Sequence, residues 1–369
     1  QGKVIDQVTL LAENYEYIQR LGGVGFITEL KATGNVDHFE SYEKQFIEQF
    51  KKRESKNVVT NWLSKDEKIE SLISMLQKID EEGITDEVDI KELIMEIGES
   101  PFSERETKRG IPSGLSDLDK YLGGFNNQES YIIGARPSMG KTAFMLKLAK
   151  SAMDNDTVPL IFSLEMSKES LLKRYFSSIA NVNSFLAQVP QSLTDGQKES
   201  WKQAGLKLAQ MDFEIFDEPM QTIQSMRSRI RKAQRKYEGK QIIVFIDYLT
   251  LIQATGTYYS DHAKVTDISA NLKAMAKDYA CPVITLAQLS RAVEQRQDKR
   301  PMLSDLRESG SIEQDADCVM FLYRESYYNE ENKSNELEVN IAKHRNGPTG
   351  KATVYYNKAT GKMGDLSVY

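Results

Sequence analysis

Gly140-Lys141-Thr142 closes the run Tyr131-Ile132-Ile133-Gly134-Ala135-Arg136-Pro137-Ser138-Met139-Gly140-Lys141-Thr142, and these residue types at this spacing can hold phosphate. An apolar strand precedes the loop and the helical pattern Ala143–Lys150 follows it, the context a phosphate-binding loop requires. Backbone N–H groups of the loop and the helix N-terminus would converge on a β-phosphate. Lys141 would set a cation on the β- and γ-phosphates, and the Thr142 hydroxyl could ligate Mg²⁺. In strict G-x-x-x-x-G-K-[ST] spacing the first glycine slot holds Ala135, with Gly134 one place earlier. The alternative is a chance Gly-Lys-Thr turn, which the flanking strand and helix disfavour. Ala135 through Thr142 are therefore expected to bind a nucleoside triphosphate.

Other residues could complete such a site. Gln241–Leu249 is an apolar run interrupted by Asp247, whose carboxylate at a strand end would complete a Mg²⁺ shell through water. Leu160–Leu164 leads into Glu165, which could hold an attacking water in line with phosphorus. An ordinary acid before a helix N-terminus explains Glu165 equally well. Gln288 closes the strand Pro282–Ala287 and could hydrogen-bond a γ-phosphate, or be a polar strand end and nothing more. Lys343-His344-Arg345-Asn346-Gly347 reads in isolation as a basic strand end entering a turn. Leu306-Arg307-Glu308-Ser309-Gly310 reads as a solvated turn, and Gln253–Lys264 as a polar loop rich in Gly and Tyr. The basic helix Met226–Lys236 is expected to be a solvated outer face, with transient nucleic-acid contact as the competing account.

The elements that must position these residues fall into two kinds. Up to about Ser100 the pattern is helical: Ile69, Leu72, Ile73, Leu76 and Ile79 recur at helical spacing after a candidate N-cap, Ser64. A shorter apolar helix is expected over Ile90, Leu93, Ile94 and Ile97. So small a helical region has more apolar faces than mass to bury them, which partner subunits or internal packing would resolve. The breaker-rich stretch Glu99–Gly110 is a linker. Pro112–Asp119 then caps and starts a helix, and strands alternate with helices: Ser130–Ile133, Val158–Ser163, Phe213–Phe216, Ile242–Ile246, Pro282–Ala287, Cys318–Tyr323 and Glu336–Ala342. Such alternation predicts an α/β domain with a mostly parallel sheet covered on both faces.

At 369 residues the chain is long enough for two or three domains. A net charge of −6 argues against a general nucleic-acid coat, though not against DNA held by a few local cations. No apolar run reaches the length of a membrane span and no secretory signal opens the chain, so a cytoplasmic location without membrane partners is expected. The opening Gln1 leads us to expect an ordered fragment of a longer protein. Cys281 and Cys318 sit in apolar runs with no CxxC pair, as buried reduced thiols do.

Taken together, Ala135–Thr142, Phe162-Ser163-Leu164-Glu165-Met166, Ile246-Asp247-Tyr248-Leu249, the run from Asp305 to Asp317 and Ala342–Gly350 resemble the motifs of the DnaB-type replicative hexameric helicases of bacteria and phage, in the same order. Ile5–Glu13 and Leu21-Gly22-Gly23 resemble the later part of that family's N-terminal helical domain, whose earlier part is not matched. The resemblance implies a RecA-like P-loop ATPase domain over 110–369, a partial all-helical N-terminal domain over 1–62, and a linker region with a docking helix over 63–109. Ile69–Ile79 is the candidate for that helix. It also implies that Lys141, Thr142 and Asp247 hold Mg·ATP, that Glu165 is the catalytic carboxylate, and that Gln288 senses the γ-phosphate. Lys343 and Arg345 would reach into a neighbour's site, and Arg307, Glu308 and Gly310 would grip single-stranded DNA. His344 departs from the glutamine usual there, and between two cations it could add a mild pH dependence or stand by.

The implied activity is ATP-driven unwinding of duplex DNA by a homohexameric ring moving 5′ to 3′ on single-stranded DNA, in the bacterial or phage-infected cytosol. A primase and a helicase loader are the implied partners. Translocation must ignore sequence, so a loop that grips the phosphate backbone suits it. A RecA-type filament recombinase shares this ATPase chemistry, and an ATP-switched loader or scaffold shares the nucleotide site. The run Arg307–Asp317 and the helical N-terminal region count against the first, and Glu165 with Lys343 and Arg345 against the second.

Overall fold

The computed structural model describes residues 39–64, 71–72, 75–76, 79, 90–99, 110–254, 258–306, 310–329 and 331–368. The chain divides into two compact units, Gln1–Arg105 and Glu106–Tyr369. In the first, helix α1 spans Phe39–Leu63 and α2 spans Ile90–Glu99. The Ser64 hydroxyl donates to the Asn61 carbonyl at 2.7 Å, so it serves the end of α1. Ile69 and Ile73 lie outside the described residues, as do Ile5–Glu13 and Leu21–Gly23; Leu72 and Leu76 are half-buried and Ile79 is buried. By contrast Ile90, Leu93, Ile94 and Ile97 are all exposed on α2. Their helical spacing gives α2 one apolar stripe.

The second unit is built on a nine-stranded sheet in the order β3-β2-β4-β5-β1-β6-β7-β8-β9. In chain order these are β1 Ser130–Ala135, β2 Thr157–Ser163, β3 Glu214–Phe216, β4 Gln241–Asp247, β5 Val283–Gln288, β6 Cys318–Tyr323, β7 Glu336–His344, β8 Gly350–Tyr356 and β9 Met363–Asp365. Pairing is parallel from β3 through β6, then antiparallel through β9. The expected strands all form. β8 and β9 extend the sheet beyond them.

Helices cover both faces: α3 Ser116–Leu122, α4 Lys141–Asp154, α5 Lys168–Ala180, α6 Asp195–Ala209, α7 Ile223–Lys236, α8 Asp261–Asp278 and the short α9 Gly310–Asp315. Alternate strand residues feed separate cores, as a period of two demands. Tyr131, Ile133, Ile243 and Phe245 pack with α4 residues such as Phe144 and Leu148. Ile132, Ile242, Val244 and Ile246 pack with Met226 and Ile230 of α7 and Leu272 and Met275 of α8. The basic helix α7 therefore buries its apolar stripe and turns its cations outward. There Arg227 pairs with Asp278, Arg229 with Glu218 and Lys236 with Glu214, as expected of a solvated face. Cys281 and Cys318 are free and buried, and burial pushes each thiol up to about 12.

Candidate active site

The loop between β1 and α4 turns because two residues take left-handed backbone angles, Ser138 at φ 67° and Gly140 at φ 101°. A side chain on Gly140 is doubly excluded, since a Cβ there would lie 2.9 Å from the Tyr356 ring. Within β1, a Cβ on Gly134 would lie 2.8 Å from Phe321, whereas Ala135 is accommodated in the core. The departure from strict glycine spacing is thus a matter of which position faces Phe321.

β4 ends beside this loop. The Thr142 hydroxyl donates to Asp247 Oδ2 at 3.0 Å. Asp247 is fully buried, and its Oδ1 has no hydrogen-bond partner among the described residues. A buried carboxylate oxygen left open beside a hydroxyl is a hard donor set that suits Mg²⁺ reached through water. Burial pushes the Asp247 carboxyl above the ordinary aspartate range, against the pull of Lys141. Burial likewise lowers Lys141, against Asp247 and Glu165. Each group is short of solvation, and Lys141 also lies 4.7 Å from the centre of the Tyr248 ring. A polyphosphate with its cation would solvate both.

Glu165 is exposed in the turn after β2. Ser163 shapes that turn, its hydroxyl donating to the Met166 carbonyl at 2.6 Å, while Leu164 N–H donates to the Asp247 carbonyl at 2.8 Å. Gln288, also exposed, pairs in register with Ala135. The sheet therefore brings Lys141, Thr142, Glu165, Asp247 and Gln288 to one edge, where open α/β sheets bind ligands. Arg136 belongs to the loop, but its buried side chain turns away from it to Glu294 and the Leu289 carbonyl. Only its backbone is left to meet phosphate.

Lys343 and Arg345 sit at the other edge. Cys318 pairs with His344 and Tyr131 with Cys318, so the end of β7 lies beside the start of β1. β1 rises about 3.3 Å per residue, which sets Arg345 about 17 Å along the strand from the phosphate loop. Lys343 Nζ donates to the carbonyls of Glu313, Gln314 and Ala316 at the end of α9. Arg345 donates to the Gln314 carbonyl and lies 3.5 Å from Asp317, while its N–H donates to the Asp317 carbonyl at 2.8 Å. Asp317 is itself buried, accepting from Lys273 at 2.6 Å and from Ser130 N–H at 2.8 Å. The His344 ring lies against Gly347, and both its nitrogens are buried without a hydrogen-bond partner among the described residues.

Arg307 and Glu308 lie outside the described residues; Gly310 begins α9. The stretch before them is fixed by Asp305, which takes a fork from Arg296 at 3.0 and 2.7 Å. In Gln253–Lys264, residues 255–257 are likewise outside. Motif and spacing do not single out three further residues near the loop. Tyr356 closes β8 against Gly140. Arg324 stacks on it at 5.3 Å, buried, with Nη1 lacking a hydrogen-bond partner among the described residues. Arg174 of α5 acts electrostatically on Asp247 and Tyr356. The alternation Ala352, Val354, Tyr356 is a legible strand signal for the first; nothing in the local pattern marks the two arginines.

The profile of the DnaB-like helicase C-terminal domain family matches residues 110–365. The replicative DNA helicase DnaC of Bacillus subtilis is 34% identical over 389 residues, covering 99% of this chain and 84% of that protein. The replicative DNA helicase DnaB of Geobacillus stearothermophilus is likewise 34% identical, over 390 residues, covering 99% of this chain and 84% of that protein. Among solved structures, a DnaB-like replicative helicase, studied with its interactions with primase, superposes with a TM-score of 0.76 at 37% identity. That match covers 99% of this chain and 88% of the other. A separately solved ATPase domain gives 0.73 at 41% identity, covering 76% of this chain and all of that one.

Proposed function

This chain belongs to the DnaB-like replicative DNA helicases, and from that membership we propose how its residues divide the work. The enzyme hydrolyses ATP and unwinds DNA at replication; the filament recombinase and the ATP-switched scaffold are thereby set aside. In the proposal the backbone of Ala135–Gly140 wraps the phosphates, Lys141 neutralises them, and Thr142 with Asp247 holds Mg²⁺, which supplies further charge neutralisation when bound. Glu165 orients and deprotonates the attacking water. Gln288 meets the γ-phosphate, while Tyr356 and Arg324 flank the nucleotide beside the loop.

One observation carries the rest: Lys343 and Arg345 stand at the sheet edge opposite Lys141, Glu165, Asp247 and Gln288. They cannot serve the nucleotide of their own chain, so a complete hydrolytic set takes two chains joined head to tail. Head-to-tail contacts close into a ring when the rotation permits. The proposal therefore includes the homohexameric ring around single-stranded DNA, 5′ to 3′ movement, and the division at 1–62, 63–109 and 110–369. Arg307, Glu308 and Gly310 contact the DNA backbone, and a primase and a loader are partners. Ile69–Ile79 is the candidate docking helix, with the exposed apolar stripe of α2 as a second candidate. No helix among the described residues is long and apolar enough to cross a membrane.

The test is ATP turnover against protein concentration, with single-stranded DNA, in wild type doped with Arg345→Ala chains. Arg345→Ala protein alone should bind nucleotide normally and turn over roughly 10³-fold more slowly or worse. In mixtures, activity should fall by more than the mole fraction of Arg345→Ala chains. A rate per chain indifferent to concentration and doping would place hydrolysis within single chains and end the proposal.

A further inference from the structure

Arg136 is an arginine in the phosphate loop that gives its side chain to something else. The guanidinium is among the buried polar groups of the domain. Its Nε and Nη2 both donate to Glu294 Oε1, at 2.9 and 2.8 Å, and its Nη1 donates to the Leu289 carbonyl at 2.8 Å. Leu289 follows Gln288, and Leu289 N–H donates to the Ala135 carbonyl at 3.2 Å, the last backbone bond between the two strands. Beyond it the chains part. Residues 136–140 curve around the phosphate position, and residues 291–295 leave as a short helical turn, Arg291–Gln295, that carries Glu294. Ser290 accepts from Ala292 N–H at 3.2 Å to start that turn, and Val293 anchors it in the core. Arg136 spans the gap with one planar group, binding the backbone just past Gln288 and the side chain of the turn beyond it.

We infer that Arg136 and Glu294 are positioning residues that hold the amide of Gln288 at a set distance from the phosphate loop, so that it can tell ATP from ADP. The inference rests on the proposed γ-phosphate contact of Gln288. Gln288 is exposed at the tip of β5, in register with Ala135; past Leu289 the β1–β5 ladder ends, and the next backbone bond, from Ser290 N–H to the Asp305 carbonyl at 3.1 Å, does not reach β1. The Arg136 fork takes the place of the missing ladder. Lysine would not substitute, because a point charge on a flexible stem cannot make three fixed hydrogen bonds. A loop arginine devoted to phosphate would instead leave its guanidinium open toward the ligand.

A double-mutant cycle tests this in the full chain with single-stranded DNA present. Glu294 is 42% exposed at its side chain, so Glu294→Gln leaves the core undisturbed. ADP affinity should match wild type, the melting temperature should fall by no more than a few degrees because the amide oxygen still accepts from the buried Arg136 guanidinium, kcat should fall at least tenfold, and the preference for ATP over ADP should shrink. Gln288→Ala should do the same, and the double variant should be no slower than Gln288→Ala alone, since both act through one amide. Arg136→Lys should resemble Glu294→Gln. Losses that multiply would show Glu294 acting independently of Gln288 and overturn the inference. A parallel fall in ADP affinity would reassign the fork to holding the phosphate loop itself. If Gln288→Ala alone leaves kcat unchanged, the sensing role falls and this inference with it. If Gln288→Ala slows turnover while Glu294→Gln does not, the sensing role stands and only the brace is lost.

Discussion

At the Ala135 end of β1, polar groups are left open: Asp247 Oδ1 and Arg324 Nη1 have no hydrogen-bond partners among the described residues, and burial pushes Asp247 and Lys141 toward neutrality. At the Ser130 end the same sheet closes its charges. Asp317 takes Lys273 and Ser130 N–H, while Lys343 and Arg345 rest on carbonyls of α9. An open buried valence costs stability, and the uncharged His344 ring is the exception at this end, its two nitrogens unpartnered among the described residues. A closed set of cations offers nothing to a ligand of its own chain. It can be exchanged for a neighbour's phosphate only by giving up bonds to the helix that follows Arg307 and Glu308. Under the proposed in-trans roles, the two ends of one sheet serve different nucleotides, the phosphate loop after β1 its own and the end of β7 a neighbour's.

The most severe way to break the contrast is Lys141→Ala, which should take ATP hydrolysis below detection in a steady-state assay. Residual turnover within tenfold of wild type would mean that the open end is not the reactive one. Asp317→Ala strikes the closed end. It leaves Lys273 with the Gln128 carbonyl but no carboxylate, and a largely buried charge deprived of its counter-ion costs about 3 kcal/mol. For a unit of this size, calorimetry should show a fall in melting temperature of roughly 6–12 °C. No fall would mean that the network at that end is decorative. Arg307→Ala should weaken single-stranded DNA binding evenly across sequences and lower the salt slope by about one unit. Loss confined to particular sequences, measured by titration at several ionic strengths, would contradict a backbone grip.

The smallest effect calibrates the others with an ion pair at the Ala135 end of the sheet but two strands away from β1, on β7. Glu338 accepts two bonds from Arg300 at 2.9 Å, and that fork holds its carboxyl below the ordinary glutamate value of 4.5. Because the folded value is depressed, the pair contributes stability above pH 4.5. That contribution is lost as pH falls through the folded value. Glu338→Gln should lower the melting temperature slightly at neutral pH and converge with wild type as pH falls through the folded value, so that the acid limb is flatter. A limb as steep as in wild type would assign the acid sensitivity elsewhere.

Local chemistry is written plainly along the chain. Gly140-Lys141-Thr142 between a strand and a helix can be little else, because the loop needs its backbone turn and its cation at fixed spacing. The apolar runs ending at Ala135, Ser163, Asp247 and Gln288 announce parallel strands, since a strand buried on both faces must be apolar throughout. α2 is visible in the sequence as an apolar stripe, but its exposure is not. Burial depends on what the rest of the chain covers, and pattern alone does not say which of the two apolar stripes is covered.

Edge and neighbour are not legible in that way. Which end of the sheet Arg345 occupies follows from β7 running antiparallel to β6, a pairing between segments that no spacing specifies. Arg136 carries the same lesson at the site itself. Its place in the motif assigns it to the nucleotide, and only the approach of Glu294, distant in sequence, turns its side chain away. The sequence by itself determined the phosphate loop, the α/β class and the candidate acids, because those rest on periodicity and short-range spacing. Which charges are open and which are closed was settled only on folding, because solvation and distance belong to residues that the fold alone makes neighbours.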